Sequence, residues 1–129
     1  MRDTQMSEFK YFKTKEFACK CCGKILINSN LIKMLDLARE ILGKPIKIES
    51  GFRCKKHNAE VGGSPTSAHL DGDAADLRCI GDENRYLLVL ALLSAGFTRI
   101  GLGKNFIHVD ISKKKNPERI WLYLIQEEK

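Results

Sequence analysis

Two histidines and a carboxylate are the residues of this chain best placed to do chemistry together. His69 and Asp76 lie in the run Ser67-Ala68-His69-Leu70-Asp71-Gly72-Asp73-Ala74-Ala75-Asp76, and His108 follows in Phe106-Ile107-His108-Val109-Asp110. Two neutral imidazoles and one carboxylate can hold zinc and leave a fourth position open for water, the arrangement of a catalytic rather than a structural ion. A small zinc hydrolase with one catalytic Zn2+ is the expectation. A lone buried histidine is more often a hydrogen-bonded core group. Here, however, two of the three histidines stand beside acidic residues and near glycine-containing turns. Gly72 sits between His69 and Asp76, where a residue tolerant of positive φ lets a loop histidine and a strand aspartate face one ion. Ala74 and Ala75 are small enough for backbone to approach closely. On a strand through His108, Phe106, His108 and Asp110 share one face, and Ile107, Val109 and Ile111 share the other. Asp110 is therefore a neighbour of a ligand. It is a candidate either for the general base or for a carboxylate that orients the imidazole, and the sequence leaves both roles open.

The surrounding sequence predicts the elements that must position these groups. Leu31, Leu35, Ala38, Ile41 and Leu42 recur at helical spacing after the cap candidates Asn28, Ser29 and Asn30, and Gly43-Lys44-Pro45 ends the pattern. Ile46-Lys47-Ile48-Glu49 alternates as a half-buried strand that turns at Ser50-Gly51 and brings Arg53 out at its end. A short helix over 54–60 and a Gly/Pro-rich loop then lead to the Ser67 motif. Ala74 to Cys79 suits a second strand. Asp82 is a candidate cap for an apolar helix containing Leu87, Leu88, Leu90, Ala91 and Leu92, which stops at Gly96. Ile107 to Ile111 and Ile120 to Ile125 read as two final strands joined by a lysine-rich turn. Helices packed on a small, mainly antiparallel sheet make the fold class α+β.

The chain has 129 residues, which accommodates one domain over 1–129, and no repeat or low-complexity linker suggests a boundary. The first ten residues are expected to fray. No apolar stretch reaches the roughly 18 residues of a membrane span, so no membrane insertion is expected. A net charge of +6 favours an anionic partner without choosing among nucleic acid, membrane and wall polymer. The tract Lys113-Lys114-Lys115 with Arg119 reads most simply as a solvated turn.

The chain has five cysteines, an odd number, and Met1 to Glu8 shows no secretion-signal pattern, which together point to thiols or metal ligands rather than a disulfide framework. Cys19-Lys20-Cys21-Cys22-Gly23 contains the C-x-x-C spacing of a zinc knuckle or a redox pair. A structural metal there would need two more soft ligands, for which Cys54, Cys79 and His57 are candidates. Reduced, partly buried thiols are the simpler expectation.

The runs Ser50-Gly51-Phe52-Arg53, His57-Asn58, Val61-Gly62-Gly63, Ser67 to Asp76 and Phe106 to Asp110 closely resemble the zinc D-alanyl-D-alanine carboxypeptidase family. The S-x-H-x-x-G-x-A-x-D element is the most specific part. The family shares its fold with vancomycin-resistance dipeptidases, murein endopeptidases, phage endolysins and the Hedgehog signalling domain. The resemblance implies that His69, Asp76 and His108 bind zinc, that Arg53 lies near the substrate's carboxylate or carbonyl, and that Ser67 donates a hydrogen bond to substrate. A guanidinium suits bidentate carboxylate recognition or oxyanion stabilisation. Many relatives carry an acidic residue or histidine two or three positions before the last zinc histidine as the base, whereas this chain has Phe106 and Asn105. Relatives of the murein endopeptidase type share its F-x-H-x-D pattern, which keeps Asp110 as the acidic candidate.

The resulting expectation is a zinc metallopeptidase that cuts an amide in the stem peptides or crossbridges of peptidoglycan. Phage-encoded or prophage-encoded members are the most similar type, and the enzyme would act as a monomer on peptidoglycan peptides without nucleic acid. It would be cytoplasmic at synthesis and act on the cell wall after release. Two rivals stand beside it: a zinc-containing wall-binding module of the same fold without catalysis, and a nucleic-acid-binding domain using the basic surface and the cysteine knuckle.

Overall fold

The computed structural model describes residues 9–123. Helix α1 (Ser29–Leu42) begins where the Asn28 side chain accepts a hydrogen bond from the Asn30 N–H, and it ends at Gly43, whose left-handed conformation no β-carbon opposes. Its buried stripe is Leu31, Ile32, Leu35 and Ala38, while Ile41 faces outward. Strand β1 (Ile48–Ser50) follows, then the short helix α2 (Lys55–Glu60), a 3-10 turn at Ala68–Asp71 and strand β2 (Ala74–Arg78). Helix α3 (Asp82–Ser94) is next. Asp82 is its first helical residue rather than its cap, because Gly81 with φ 95° takes the capping position; Asp82 and Glu83 then sit in the first turn, where the helix dipole favours them. Helix α3 buries Leu88, Ala91 and Leu92 only, and Leu90 lies on the exposed side.

Strands β3 (Arg99–Leu102), β4 (Phe106–Asp110) and β5 (Arg119–Leu122) complete a five-stranded sheet in the order β1-β2-β4-β3-β5, antiparallel except where β5 runs parallel to β3. The α+β class expected from the pattern is therefore observed. The last two strands, joined through the lysine-rich turn, are both present but do not pair with each other. Strand β3, short and interrupted by Gly101, carries no clear alternation, yet it occupies the edge of β4 and displaces β5 to its own far side. Residues Leu124 and Ile125 of the expected last strand lie outside the described residues. So do residues 1–8 of the start expected to fray, but Lys10 and Tyr11 already dock on α1 through backbone N–H bonds to the Asp36 carboxylate at 2.7 and 2.9 Å.

One face of the sheet and the two long helices bury Leu77, Ile100, Ile107 and Val109 against Leu31, Leu35, Leu88 and Leu92. Each such side chain contributes about 1.5–3 kcal/mol by leaving water, so the sheet is held firmly from behind. The opposite face carries the polar residues, and register lines them up. Ser50 faces Asp76, Asp76 faces His108, His108 faces Gly101, and Gly101 faces Trp121, one row across all five strands. Among the described residues no helix is long and apolar enough to cross a membrane.

Gly72 closes the 3-10 turn with φ 74°, and a β-carbon there would run into the carbonyl of Leu26. Its own carbonyl accepts from the Asn28 N–H at 2.9 Å, which ties the turn carrying His69 to the start of α1. Gly72→Ala should therefore lower unfolding stability by about 1–3 kcal/mol from backbone strain alone, with the Leu26 contact adding to it. Urea unfolding monitored by Trp121 fluorescence measures the loss.

Candidate metal centre

Three segments bring the expected ligands together. His69 comes from the 3-10 turn, where Ser67 Oγ accepts from the His69 N–H at 3.1 Å. Asp76 and His108 are direct cross-strand partners on β2 and β4. One ligand atom from each of the three lies within 4.8 Å of the others. His69 Nε2 is 3.3 Å and His108 Nδ1 3.0 Å from the same Asp76 oxygen, Oδ1.

The far nitrogen of each imidazole has its own acceptor. His69 Nδ1 donates to the Gly51 carbonyl at 2.6 Å, and His108 Nε2 donates to Asp110 Oδ2 at 2.8 Å. These bonds fix the tautomers and leave the lone pairs of His69 Nε2 and His108 Nδ1 facing a carboxylate oxygen. Three acceptors converging on one point need a cation between them. Two imidazoles, one carboxylate and an acceptor behind each ring form the donor set and supporting shell of a zinc site. The residues present fit zinc.

Asp110 is 1% exposed, and both of its oxygens are engaged. Oδ2 accepts from His108, and Oδ1 accepts from Arg99 Nε at 2.7 Å and from the Ser112 N–H at 3.2 Å. Of the two roles left open for it, this is the geometry of an orienting carboxylate, not of a base with a free oxygen. Arg53 is also more constrained than expected. Its Nε donates to Ser50 Oγ at 3.2 Å, one terminal nitrogen donates to Asn58 Oδ1 at 3.2 Å, and the other pairs with Asp76 Oδ2 at 3.0 Å. The guanidinium thus touches one of the candidate ligands, a contact the sequence did not suggest.

The trio opens into a cleft of about 360 Å³ that Arg53 and Ser67 also line. Part of its remaining wall comes from residues outside the expected set: Trp121 and Tyr123, with ring centroids 5.6 and 6.3 Å from that of His108, and Arg99, which stacks on Trp121 at 4.8 Å. Gly101 makes this wall possible, because a β-carbon there would stand 2.6 Å from Tyr123 and 2.7 Å from Trp121. The signal was present in Trp121-Leu122-Tyr123, where two aromatics capable of hydrogen bonding share one face of a strand. For Arg99 there was none. Burial pushes the Tyr123 phenol above its ordinary range, which keeps it protonated.

Burial also opposes charge on Asp76, but the close approach of His108 and His69 outweighs it and holds that carboxyl far below the usual carboxylate range. For His108, burial disfavours the proton, yet the hydrogen bonds to Asp110 and Asp76 prevail and raise its pKa above 6.5. In the metal-free protein a proton on His108 stands in for the cation. Its stabilising contribution is complete below 6.5 and disappears as pH rises through the higher folded value. Zinc affinity should change in the opposite sense, rising over the same interval as the competing proton leaves. Thermal unfolding of metal-free protein and zinc titrations over a pH series would show the two trends crossing.

The curated zinc D-Ala-D-Ala carboxypeptidase of Streptomyces albus G is 40% identical to this chain over 67 residues, which is 51% of this chain and 26% of that protein. The aligned part thus spans about a quarter of the relative's length. Among solved structures, the Serratia marcescens L-Ala D-Glu endopeptidase ChiX shares the fold with a TM-score of 0.54, at 18% identity over 68% of this chain and 82% of that one. The profile of the Peptidase M15 family matches residues 10–110, from the segment docked on α1 to the end of β4 and across every ligand of the proposed ion. On that match, the chain belongs to the Peptidase M15 family.

Proposed function

We propose that this chain is a zinc peptidase of peptidoglycan. It hydrolyses an amide next to a D-amino acid in the stem peptides or crossbridges, as a carboxypeptidase or an endopeptidase, and is of the type that phages and prophages encode. The observation that carries this reading is the convergence of His69 Nε2, His108 Nδ1 and Asp76 Oδ1 at an open cleft, with each imidazole locked from behind. The D-Ala-D-Ala carboxypeptidase activity in the name of the Streptomyces relative supports the substrate class.

Zinc held by the trio would supply Lewis acidity for the scissile carbonyl and lower the pKa of a water bound beside it. The chain's own residues do the rest. Asp110 keeps the proton on His108 Nε2, so that Nδ1 stays a ligand. Arg53 has five N–H donors, and those not engaged by Ser50, Asn58 and Asp76 can meet a substrate carboxylate or carbonyl oxygen. Ser67 Oγ accepts from the His69 backbone, which leaves its hydroxyl hydrogen for the substrate. Trp121 and Tyr123 shield one side of the cleft from water.

A second reading, a wall-binding module that keeps zinc without catalysis, draws on one observation. The carboxylates lining the cleft, Asp76 and Asp110, are both fully paired, so neither is free to take a proton. Purified peptidoglycan incubated with zinc-loaded protein, with His69→Ala as control, distinguishes the two. Soluble peptides or free D-alanine released by the wild type alone support the peptidase, and the product masses identify the bond. Wall binding with an occupied histidine site and no cleavage across several wall types would move the assignment to the binding module.

A further inference from the structure

A second group of soft ligands stands apart from the histidines. The sulfur atoms of Cys19, Cys21, Cys22 and Cys54 all lie within 4.8 Å of one another. Sulfurs placed tetrahedrally around zinc at about 2.3 Å would be about 3.8 Å apart. The separations here are 3.9 Å for Cys19 and Cys21 and 3.3 Å for Cys21 and Cys54. The cluster is already close to the size an ion would impose. Cys79, the other soft candidate from the sequence, and His57 are not part of it.

Local structure explains how four cysteines from two distant segments meet. The 3-10 turn Thr14–Phe17 buries the Phe17 ring completely, and the Phe17 carbonyl accepts from the Phe52 N–H at 2.9 Å, which sets Cys19 beside Cys54. After Cys19 the chain reverses in a tight loop. The Cys19 N–H donates to the Lys24 carbonyl and the Gly23 N–H to the Cys19 carbonyl, each at 2.8 Å, with Gly23 at φ 78°. This reversal carries Cys21 and Cys22 back over Cys19. Cys54 caps helix α2, its sulfur accepting from the His57 N–H at 3.4 Å, while the Cys54 N–H points to the sulfur of Cys19 at 3.4 Å. Backbone N–H groups aimed at sulfur favour thiolate, which is the form that binds metal. Lys20, Lys24, Lys55 and Lys56 flank the four cysteines in the chain and offset the negative charge of a tetrathiolate centre.

We propose that Cys19, Cys21, Cys22 and Cys54 bind a second zinc ion as a closed tetrathiolate site, which fastens the N-terminal turn to the loop that presents Arg53 to the cleft. Binding turns four thiols into thiolates and releases their protons to solvent, with no change of oxidation state. Four protein ligands leave no position for water, so the ion is structural. Cys21 and Cys22 are exposed, which gives the metal a path in. A Cys21–Cys54 disulfide would use only half of the cluster. The inference does not depend on the peptidase reading.

The test is metal counting on protein purified under reducing conditions, by elemental analysis and native mass spectrometry, with cobalt(II) as the spectroscopic probe. Wild-type protein should carry two zinc ions per chain, and His69→Ala/His108→Ala should keep one. Cobalt in that remaining site should show the intense thiolate-to-metal charge-transfer absorption that an imidazole and carboxylate site lacks. Cys21→Ser/Cys22→Ser should lose that band and one equivalent while retaining the histidine-bound ion. A single zinc in the wild type that vanishes with the histidines would overturn the proposal, as would cobalt-loaded wild type without the band or a Cys21–Cys54 disulfide in the intact mass. Should the cysteine variant fail to fold, the unaltered protein still decides the question through its stoichiometry and its cobalt spectrum.

Discussion

Alanine at His69 should leave a folded protein that neither retains the ion at the histidine site nor releases product from peptidoglycan. The side chain is almost fully buried, but its contacts are polar and local: the Gly51 carbonyl on one side and Asp76 on the other. Removing it leaves two of the three proposed ligands. If the ion supplies several kcal/mol of transition-state stabilisation, its loss reduces the rate by about 10³-fold or more. Product release is read by mass spectrometry and metal content by elemental analysis. Wild-type rates in a variant shown to lack metal at this site would exclude the trio as the reactive centre.

Asp110→Asn separates positioning from proton transfer. If Asp110 orients His108, its neutral replacement should weaken zinc binding by about 10–100-fold, the usual cost of losing a partner behind a metal ligand. The turnover number measured at saturating zinc should then remain within about tenfold of wild type, since the reacting groups are still present. If Asp110 were the base, zinc affinity would be nearly unchanged and turnover would collapse. The substitution also breaks the ion pair with Arg99, which is only 12% exposed. Losing the opposite charge, while the guanidinium keeps its bond to the Asn116 carbonyl, should lower folding stability, visible as an earlier urea midpoint. Measuring affinity, turnover and stability on one preparation keeps the three effects apart.

Much of the candidate metal centre was legible in the sequence because its chemistry is local. His69, Gly72 and Asp76 fall within one short run, and the alternation around His108 dictates that His108 and Asp110 share a face while Ile107 and Val109 enter the core. Helix α1 was legible for the same reason, with an Asn28 cap, a periodic stripe and a Gly43 stop all within one segment. Strand β3 was not. Its four residues gain their strand character from β4 and β5 on either side, and Gly101 is explained only by the aromatic rings that lie over it.

Local pattern was enough to show which residues could bind an ion, that the chain is α+β, and that the carboxylate two positions after His108 would stand beside it. These follow from side-chain chemistry and from backbone periods of 2 and 3.6 residues, which act over a few positions. The rest emerges from the folded chain: Asp76 and His108 face each other in one row, both oxygens of Asp110 are engaged, Trp121 and Tyr123 wall the cleft, and Cys54 joins the cysteines that follow the first 3-10 turn. Each of these depends on strand order and register between segments far apart in the chain. That order arises from competition among edges for hydrogen bonds and apolar cover, which no local pattern records.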